Sequence, residues 1–340
     1  MKKVLFFFVS LAIGTGLLVW IIRAIGWEEI ALAFRFFSPA AGATILFLTI
    51  LANLVRSWRW RTILKSQGYS IPVLRILEYY LSGSALGFFV PMFLFGGEII
   101  RGYDLKEKYA VPWPKSIASV IIDRISEFTL YALATILGIA FFIAQANLPS
   151  YKIGITIFAV FLLIIASISF FYFKSFKKES IIRFFIQKFN AKNSNGADTA
   201  IEVEREIFRY FKPKKKIMWQ GFGLSFLLEL VLLARTYLLI LFLAKPASIF
   251  SAVAIVAFSS LALVLPIPAA LGSHEAVQSF VFTALGLGAG TGAAFVLVIR
   301  GAELIAALIG SFFFFKFGLR LLESLLLKKI GQLFKNGNNK

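Results

Sequence analysis

"FVPMFLFGGEIIRGY", residues 89 to 103, sets Pro91, Gly96 and Gly97, then Glu98 and Arg101, inside an otherwise apolar run. A helix through lipid excludes charge and accepts Pro or Gly only where neighbouring groups re-satisfy the backbone. The stretch "LVLPIPAALGSHEAV", residues 263 to 277, repeats the pattern in the other half of the chain. Both read as helices broken inside a membrane, and the segments around them decide the fold.

Those surroundings are built for hydrocarbon. Of 340 residues, 59% are hydrophobic and 39 are Phe, with mean hydropathy +0.84. A soluble domain lies near 45–50% apolar. At roughly 20 residues per crossing, the chain has room for about eight membrane segments. The expected class is all-α, a polytopic helical membrane protein with no independent soluble domain. The absence of cysteine excludes disulfides, thiolate metal sites and Cys nucleophiles. A net charge of +19 would suit nucleic acid, but basic cytoplasmic loops account for it in a membrane chain. No nucleic-acid partner is expected.

"VLFFFVSLAIGTGLLVWII", residues 4 to 22, lacks charge and is flanked by Lys2, Lys3 and Arg23. It has neither the short core nor the cleavage site of a signal peptide, so it reads as a retained first span. "WEEIALAFRFF" (27 to 37) reads as an interfacial helix. A second span begins at Pro39 and runs into "NLVRSWRWRTILK" (53 to 65), whose basic and Trp residues read as a membrane surface. Further spans fall near 117–144, 153–173 and 217–243. The last block, 248–315, is interrupted by Pro266, Pro268 and the glycines at 286, 288, 290 and 292.

Charge orients the chain. With the N-terminus inside and residues 73–101 entering, turning at Pro91 and returning, the inside segments are 1–3, 56–75, 101–115, 174–216 and 316–340. They hold 29 Lys plus Arg, whereas the outside segments hold Arg35, Lys152 and Lys245. A full crossing would export Lys106, Lys108 and Lys115. The positive-inside rule thus favours a re-entrant hairpin, with both termini cytoplasmic in the cell (inner) membrane. Residues 174–216, hinged at "NAKNSNGAD", read as a cytoplasmic basic region lying on anionic lipid. Residues 316–340 read as an amphipathic tail.

The two broken segments share a register. Pro91 precedes Glu98 by seven residues and Pro268 precedes Glu275 by seven; Glu98 precedes Arg124 by 26 and Glu275 precedes Arg300 by 25. "DRISE" and "IRGAE" each place a glutamate three residues after the arginine, at Glu127 and Glu303. Charge is scarce inside the spans, so this recurrence marks two related units, about 73–144 and 248–315. The three spans between them make the second unit enter from the opposite side. Inverted repeats with broken helices are a transporter signature. Hairpins that only permit close helix packing remain the alternative.

Each ionisable group in a membrane costs at least ~2.5–3.5 kcal/mol and is normally paired and interior. Arg124 with Glu127, and Arg300 with Glu303, share helix faces at i,i+3. Asp123 and Glu127 are i,i+4, so Arg124 is expected to mediate between two carboxylates. Glu98 and Arg101 face together on a half-helix. Glu98, Arg124, Glu275 and Arg300 are expected to line one mid-membrane cavity. Glu229 and Arg235, six residues apart, each need a partner elsewhere. "HEAVQ" opens like H-E-x-x-H, but Gln278 stands at the second histidine position and His274 is the only histidine. No metal site follows, and His274 reads as loop-facing. With no P-loop, Gly-x-Ser-x-Gly elbow or dinucleotide fingerprint, no cofactor is expected.

"RSWRWRTIL", "PMFLFGGEIIRGY", "ASVIIDRISE", "LPIPAALGSHE" and "VIRGAE" together resemble the lysylphosphatidylglycerol synthase transmembrane (flippase-like domain) family, in its order, over roughly residues 3–318. Two-part members add an aminoacyl-transferase domain; this chain, ending at residue 340, is expected to be a stand-alone member. The resemblance implies movement or binding of a phospholipid or other polar lipid, anionic or aminoacylated or glycosylated, between leaflets. Arg101, Arg124 and Arg300 would then face phosphate, and Glu98 and Glu275 a cationic headgroup or protons. Asp123, Glu127 and Glu303 would hold the arginines. A membrane-embedded lipid-modifying transferase and a non-catalytic scaffold for a separate synthase stay open, as does a homo-oligomer.

Overall fold

The structure, a computed structural model, describes residues 15–16, 18–35, 37–89, 96–145, 151–177, 180, 182, 197–212, 215–243, 246, 248–262 and 271–337. Pro91, Pro266, Pro268 and most of the "NAKNSNGAD" hinge lie outside them, as does the side chain of Glu98. The described elements are α1 (Trp27–Ala33), α2 (Pro39–Ser66), α3 (Val73–Phe89), α4 (Gly96–Tyr109), α5 (Trp113–Gln145), α6 (Tyr151–Lys177), α7 (Ala197–Tyr210), α8 (Lys216–Phe242), α9 (Ile249–Ala262), α10 (Ser273–Ala284) and α11 (Ala289–Gly337). No strand occurs among the described residues.

Four of these helices are long and apolar enough to cross a membrane: α2, α5, α8 and α11 over Ala289–Lys316. Helix α6, at 27 residues, also exceeds the roughly 20 needed. By contrast α3, α4, α9 and α10 have 17, 14, 14 and 12 residues. Each broken block therefore supplies two helices too short to span alone. Phe47, Ile50, Trp58, Phe226 and Leu230 are exposed on the long helices, as the outward face of a bundle in lipid should be. The chain is a polytopic helical membrane protein.

Local signals set the helix starts. Ser38 Oγ accepts from the Ala41 N–H at 3.1 Å, with Pro39 at the first position of α2. Before α11, Gly286 (φ +72°) and Gly288 (φ +91°) supply left-handed backbone that other residues rarely adopt. Glu29 Oε1 accepts from the Gly290 N–H at 3.1 Å, so α1 places a carboxylate on the positive end of α11.

The packing has an exchange symmetry. Helix α2 pairs with α8. Helix α3 lies on α11 and α9 lies on α5; α4 lies on α5 and α10 on α11; α2 touches α11 and α8 touches α5; α1 touches α11 and α7 touches α5. Swapping α1–α5 for α7–α11 leaves these relations unchanged. Glycines mark the crossings. A Cβ on Gly138 of α5 would press on Ala257 and come 2.8 Å from the Val253 carbonyl oxygen of α9. One on Gly310 of α11 would press on the Leu81 carbonyl and come 3.0 Å from Ala85 of α3. Where α4 meets α5, Gly102 faces Ser116; where α10 meets α11, Ser279 faces Gly292. Gly102 and Ser279 stand four residues after Glu98 and Glu275, and Ser116 and Gly292 stand eight before Arg124 and Arg300. The same contact is made twice with glycine on opposite partners.

The basic region is tied to this bundle. Val203, Ile207, Phe208 and Phe211 on and just after α7 pack with Ile63, Ala118 and Ile122. The apolar face of α7 thus covers protein, while most of residues 178–196 lie outside the described residues.

Candidate functional site

Helix α5 carries Asp123, Arg124 and Glu127 about 15–20 Å from its start, at 1.5 Å per residue. Arg59 of α2 is fully buried and donates to three groups: Nε to Asp123 Oδ1 at 2.7 Å, Nη2 to Glu127 Oε2 at 2.9 Å, and Nη1 to Ser225 Oγ of α8 at 3.2 Å. Arg101 of α4 reaches the other oxygen of Asp123 through Nη2 at 2.8 Å. Its guanidinium lies 4.0 Å from the Trp60 ring centroid and 4.4 Å from that of Tyr80, so cation–π attraction offsets part of its lost hydration. Trp60 is itself fixed, its indole N–H donating to Ser119 Oγ at 3.2 Å.

Glu127 takes the remaining charge. Arg56 Nε and Tyr131 OH donate to Oε1 at 3.1 and 2.8 Å, and Arg124 Nη1 donates to Oε2 at 3.1 Å. Arg56 also donates to Tyr131 OH at 3.0 Å. The cluster thus joins α2, α4, α5 and α8 through four guanidiniums and two carboxylates. Buried charge survives only when paired and hydrogen-bonded, and every oxygen of Asp123 and Glu127 is used.

The matching place in the second half is built from fewer bonds. Arg300 Nη1 of α11 donates to Glu303 Oε2 at 2.8 Å. Arg235 of α8 sits 3.8 Å from Glu303 Oε1 and donates to Thr49 Oγ1 of α2 at 3.2 Å. On α10, His274, Glu275 and Gln278 are buried. Gln278 Nε2 donates to Ser259 Oγ at 2.7 Å and to the Ile255 carbonyl at 3.2 Å. Arg56 of the first cluster lies close enough to the second to repel Arg235 and attract Glu303.

Several sequence expectations change. Arg56 and Arg59 read as membrane-surface residues beside Trp58 and Trp60, yet Arg59 is completely buried and Arg56 largely so. The available signal was a polar stripe, Thr49, Asn53, Ser57 and Arg59, opposite the exposed Phe47, Ile50 and Trp58. Arg124 does not mediate between Asp123 and Glu127; Asp123 belongs to Arg59 and Arg101. His274 is in the first turn of α10 and buried, not loop-facing. Arg235 has its distant partner in Glu303, whereas Glu229 Oε1 has none among the described residues. Arg124 and Arg300 fall in the two separate clusters, Glu275 beside Arg300.

The fold and the paired buried charges define a multi-pass helical membrane protein with an ionic interior. The sequence matches the family described as the lysylphosphatidylglycerol synthase TM region over residues 7–310, and the chain belongs to that family. It is similar to a UPF0104 membrane protein of Methanocaldococcus jannaschii, 23% identical over 65% of this chain and 73% of the relative. A second UPF0104 membrane protein, from Methanothermobacter thermautotrophicus, is 21% identical over 86% of this chain and 89% of the relative.

Proposed function

We propose that this protein translocates a polar lipid headgroup between the leaflets of the cell (inner) membrane, using two inverted re-entrant units, about 73–144 and 248–315. Both termini and the basic region 174–216 are cytoplasmic in this reading. The observation that carries it is the pair of buried ionic clusters at matched positions of helices whose packing relations exchange. A cluster that only held helices together would close with balanced charge. In these clusters, by contrast, Arg101 Nε and Nη1 and Arg300 Nε and Nη2 have no acceptor among the described residues, and a polar guest with phosphate oxygens would supply one. Half-helices that end inside the membrane offer such a guest a path past the apolar core. Arg101, Arg124 and Arg300 attract the phosphate, Asp123, Glu127 and Glu303 position them, and Glu98 and Glu275 meet the rest of the headgroup.

The test is reconstitution into sealed vesicles carrying headgroup-labelled lipid in one leaflet. Label is expected to reach the other leaflet with its mass unchanged, and Glu275→Gln or Glu98→Gln to stop it while the protein still inserts and elutes as the parent does. A changed lipid mass would mean a transferase, and an immobile label would leave a scaffold role.

A further inference from the structure

Helices α2 and α8 pair antiparallel through two equivalent bonds. Arg59 Nη1 of α2 donates to Ser225 Oγ of α8, and Arg235 Nη1 of α8 donates to Thr49 Oγ1 of α2, each at 3.2 Å. In both helices the arginine follows the hydroxyl residue by ten, and Arg59 and Arg235 stand 176 residues apart, as Arg124 and Arg300 do. The two bonds therefore exchange under the relation that exchanges the halves. Four residues after each hydroxyl comes a further polar side chain, Asn53 on α2 and Glu229 on α8. These two flank the centre of the pairing, where the halves meet. Asn53 Nδ2 donates to the Thr49 carbonyl at 3.0 Å. Glu229 is the middle residue of α8, thirteen from Lys216 and thirteen from Phe242. Its Oε1 is buried with no hydrogen-bond partner among the described residues.

The charged and titratable groups around Glu229 come from two helices. Arg56 and Arg59 face it from α2, and Glu127 and Tyr131 from α5; α9, also packed on α8, carries none. On α8 itself Arg235 is six residues away and turned to Glu303. Arg56 and Arg59 are already bound to Glu127, at 3.1 and 2.9 Å. Two carboxylates thus compete for one pair of guanidiniums, and Glu127 holds them. An anion with a buried, unbonded oxygen is costly between membrane helices, whereas the neutral acid fits. We propose that Glu229 is a proton-binding site at the centre of the molecule, filled while Arg56 binds Glu127 and emptied when Arg56 turns to Glu229. In the emptying step the Glu229 O–H bond breaks, its electron pair stays on the carboxylate, and the proton passes to water. Arg56 compensates the new anion, and Glu127 keeps Arg59, Arg124 and Tyr131. Asn53, at the equivalent place, does not titrate, so one group serves both halves. On the translocation reading, and resting on it, this proton is the coupling ion, because it sits on the helix pair whose bonds the two halves share.

The test is infrared difference spectroscopy of the purified protein in phosphatidylcholine vesicles, with pH raised from weakly acidic to weakly basic. The parent should show the carbonyl stretch of a protonated carboxyl and lose it as pH rises. Glu229→Gln, which copies the shape of the neutral acid, should fold as the parent does and lack that change. In Arg56→Gln the band should persist through the range, because the anion has lost its compensating cation. Exchanging potassium for sodium at constant pH should alter none of these spectra. Headgroup-labelled phosphatidylglycerol in the same vesicles then reads the coupling. A difference of one pH unit across the membrane should change the parent's rate several-fold, with ~10-fold as the ceiling for one proton, and leave Glu229→Gln unaffected. Identical spectra from the parent and Glu229→Gln, or a band displaced by sodium, would overturn the proton site. A band lost in Arg56→Gln as in the parent would overturn the part given to Arg56. A parental rate indifferent to the gradient would overturn the coupling alone. Labelled lipid that never moves would overturn the translocation reading, while the spectra still decide the site.

Discussion

Arg59 of α2 and Asp123 of α5 meet at 2.7 Å with neither side chain exposed, across 64 residues of sequence. Through Glu127 and Ser225 the same guanidinium also reaches a second turn of α5 and the facing side of α8. One side chain thus sets three long helices against each other where hydrophobic force between helices is absent, lipid being as apolar as they are.

Losing one member of that pair leaves a buried charge without compensation, at about 3–5 kcal/mol. Asp123→Ala should therefore unfold in micelles at markedly lower denaturant than the parent. Arg59→Met combined with Asp123→Leu should cost less than the two single changes added together, because the charge each single change strands is removed, although Arg101 still loses its carboxylate. Strictly additive losses in this double-mutant cycle would show that the two side chains do not interact in the folded protein.

The helix crossings predict a graded glycine series. Gly310→Ala drives a methyl against the Leu81 carbonyl, a backbone atom that cannot rotate away, and Gly138→Ala crowds Ala257 and the Val253 carbonyl. Gly223 has nothing within 4 Å of a Cβ. Gly310→Ala and Gly138→Ala should lower the melting temperature by several degrees, corresponding to overpacking of ~1–3 kcal/mol. Gly223→Ala should match or exceed the parent, gaining helix propensity. A Gly310→Ala protein as stable as the parent would mean that α3 and α11 do not cross there.

The long helices were legible because composition dictates them. Trp113–Gln145 and Lys216–Phe242 lie within a few residues of the spans expected at 117–144 and 217–243. The unequal spacing of the charges also placed Arg124 with Glu127 and Arg300 with Glu303. Partner choice between helices was not legible. Asp123 and Arg124 are adjacent in sequence, hence about 100° apart around α5, and that angle sends Asp123 to α2 and α4 while Arg124 stays with Glu127. Arg56 and Arg59 were hidden by their company, since arginine next to tryptophan is also how a membrane surface is written. Counting them and Arg101 as loop residues inflated the basic inside total, yet only three basic residues were assigned outside, so the orientation argument keeps its sign.

That orientation is open to a direct chemical test because the chain has no cysteine of its own. Lys106 is exposed near the end of α4, and Ser248 is exposed between α8 and α9. In intact cells an impermeant maleimide should label Ser248→Cys and spare Lys106→Cys until the membrane is opened. The reverse pattern would turn the protein over. A full crossing by residues 73–101 would give that reverse pattern as well, because every later loop would change sides, and the inverted arrangement would go with it.

The difference between the halves can be erased by design. Arg101 ties α4 to α5 through Asp123, and its guanidinium is packed between Trp60 and Tyr80. The matching positions hold Gln278 and Ile299. Gln278→Arg alone would bury a cation and Ile299→Asp alone an anion, so each should destabilise the protein. Together they should form the ion pair that the first half already has, and restore stability towards the parent. If translocation needs α10 free to move on α11, that pair also locks it in place. Translocation in the double variant should then fall ~10-fold or more, the equivalent of about 1.4 kcal/mol on the barrier. A double variant no more stable than its singles would disprove the correspondence between the halves. One that is stable and moves lipid at the parental rate would show that a locked second half is compatible with transport.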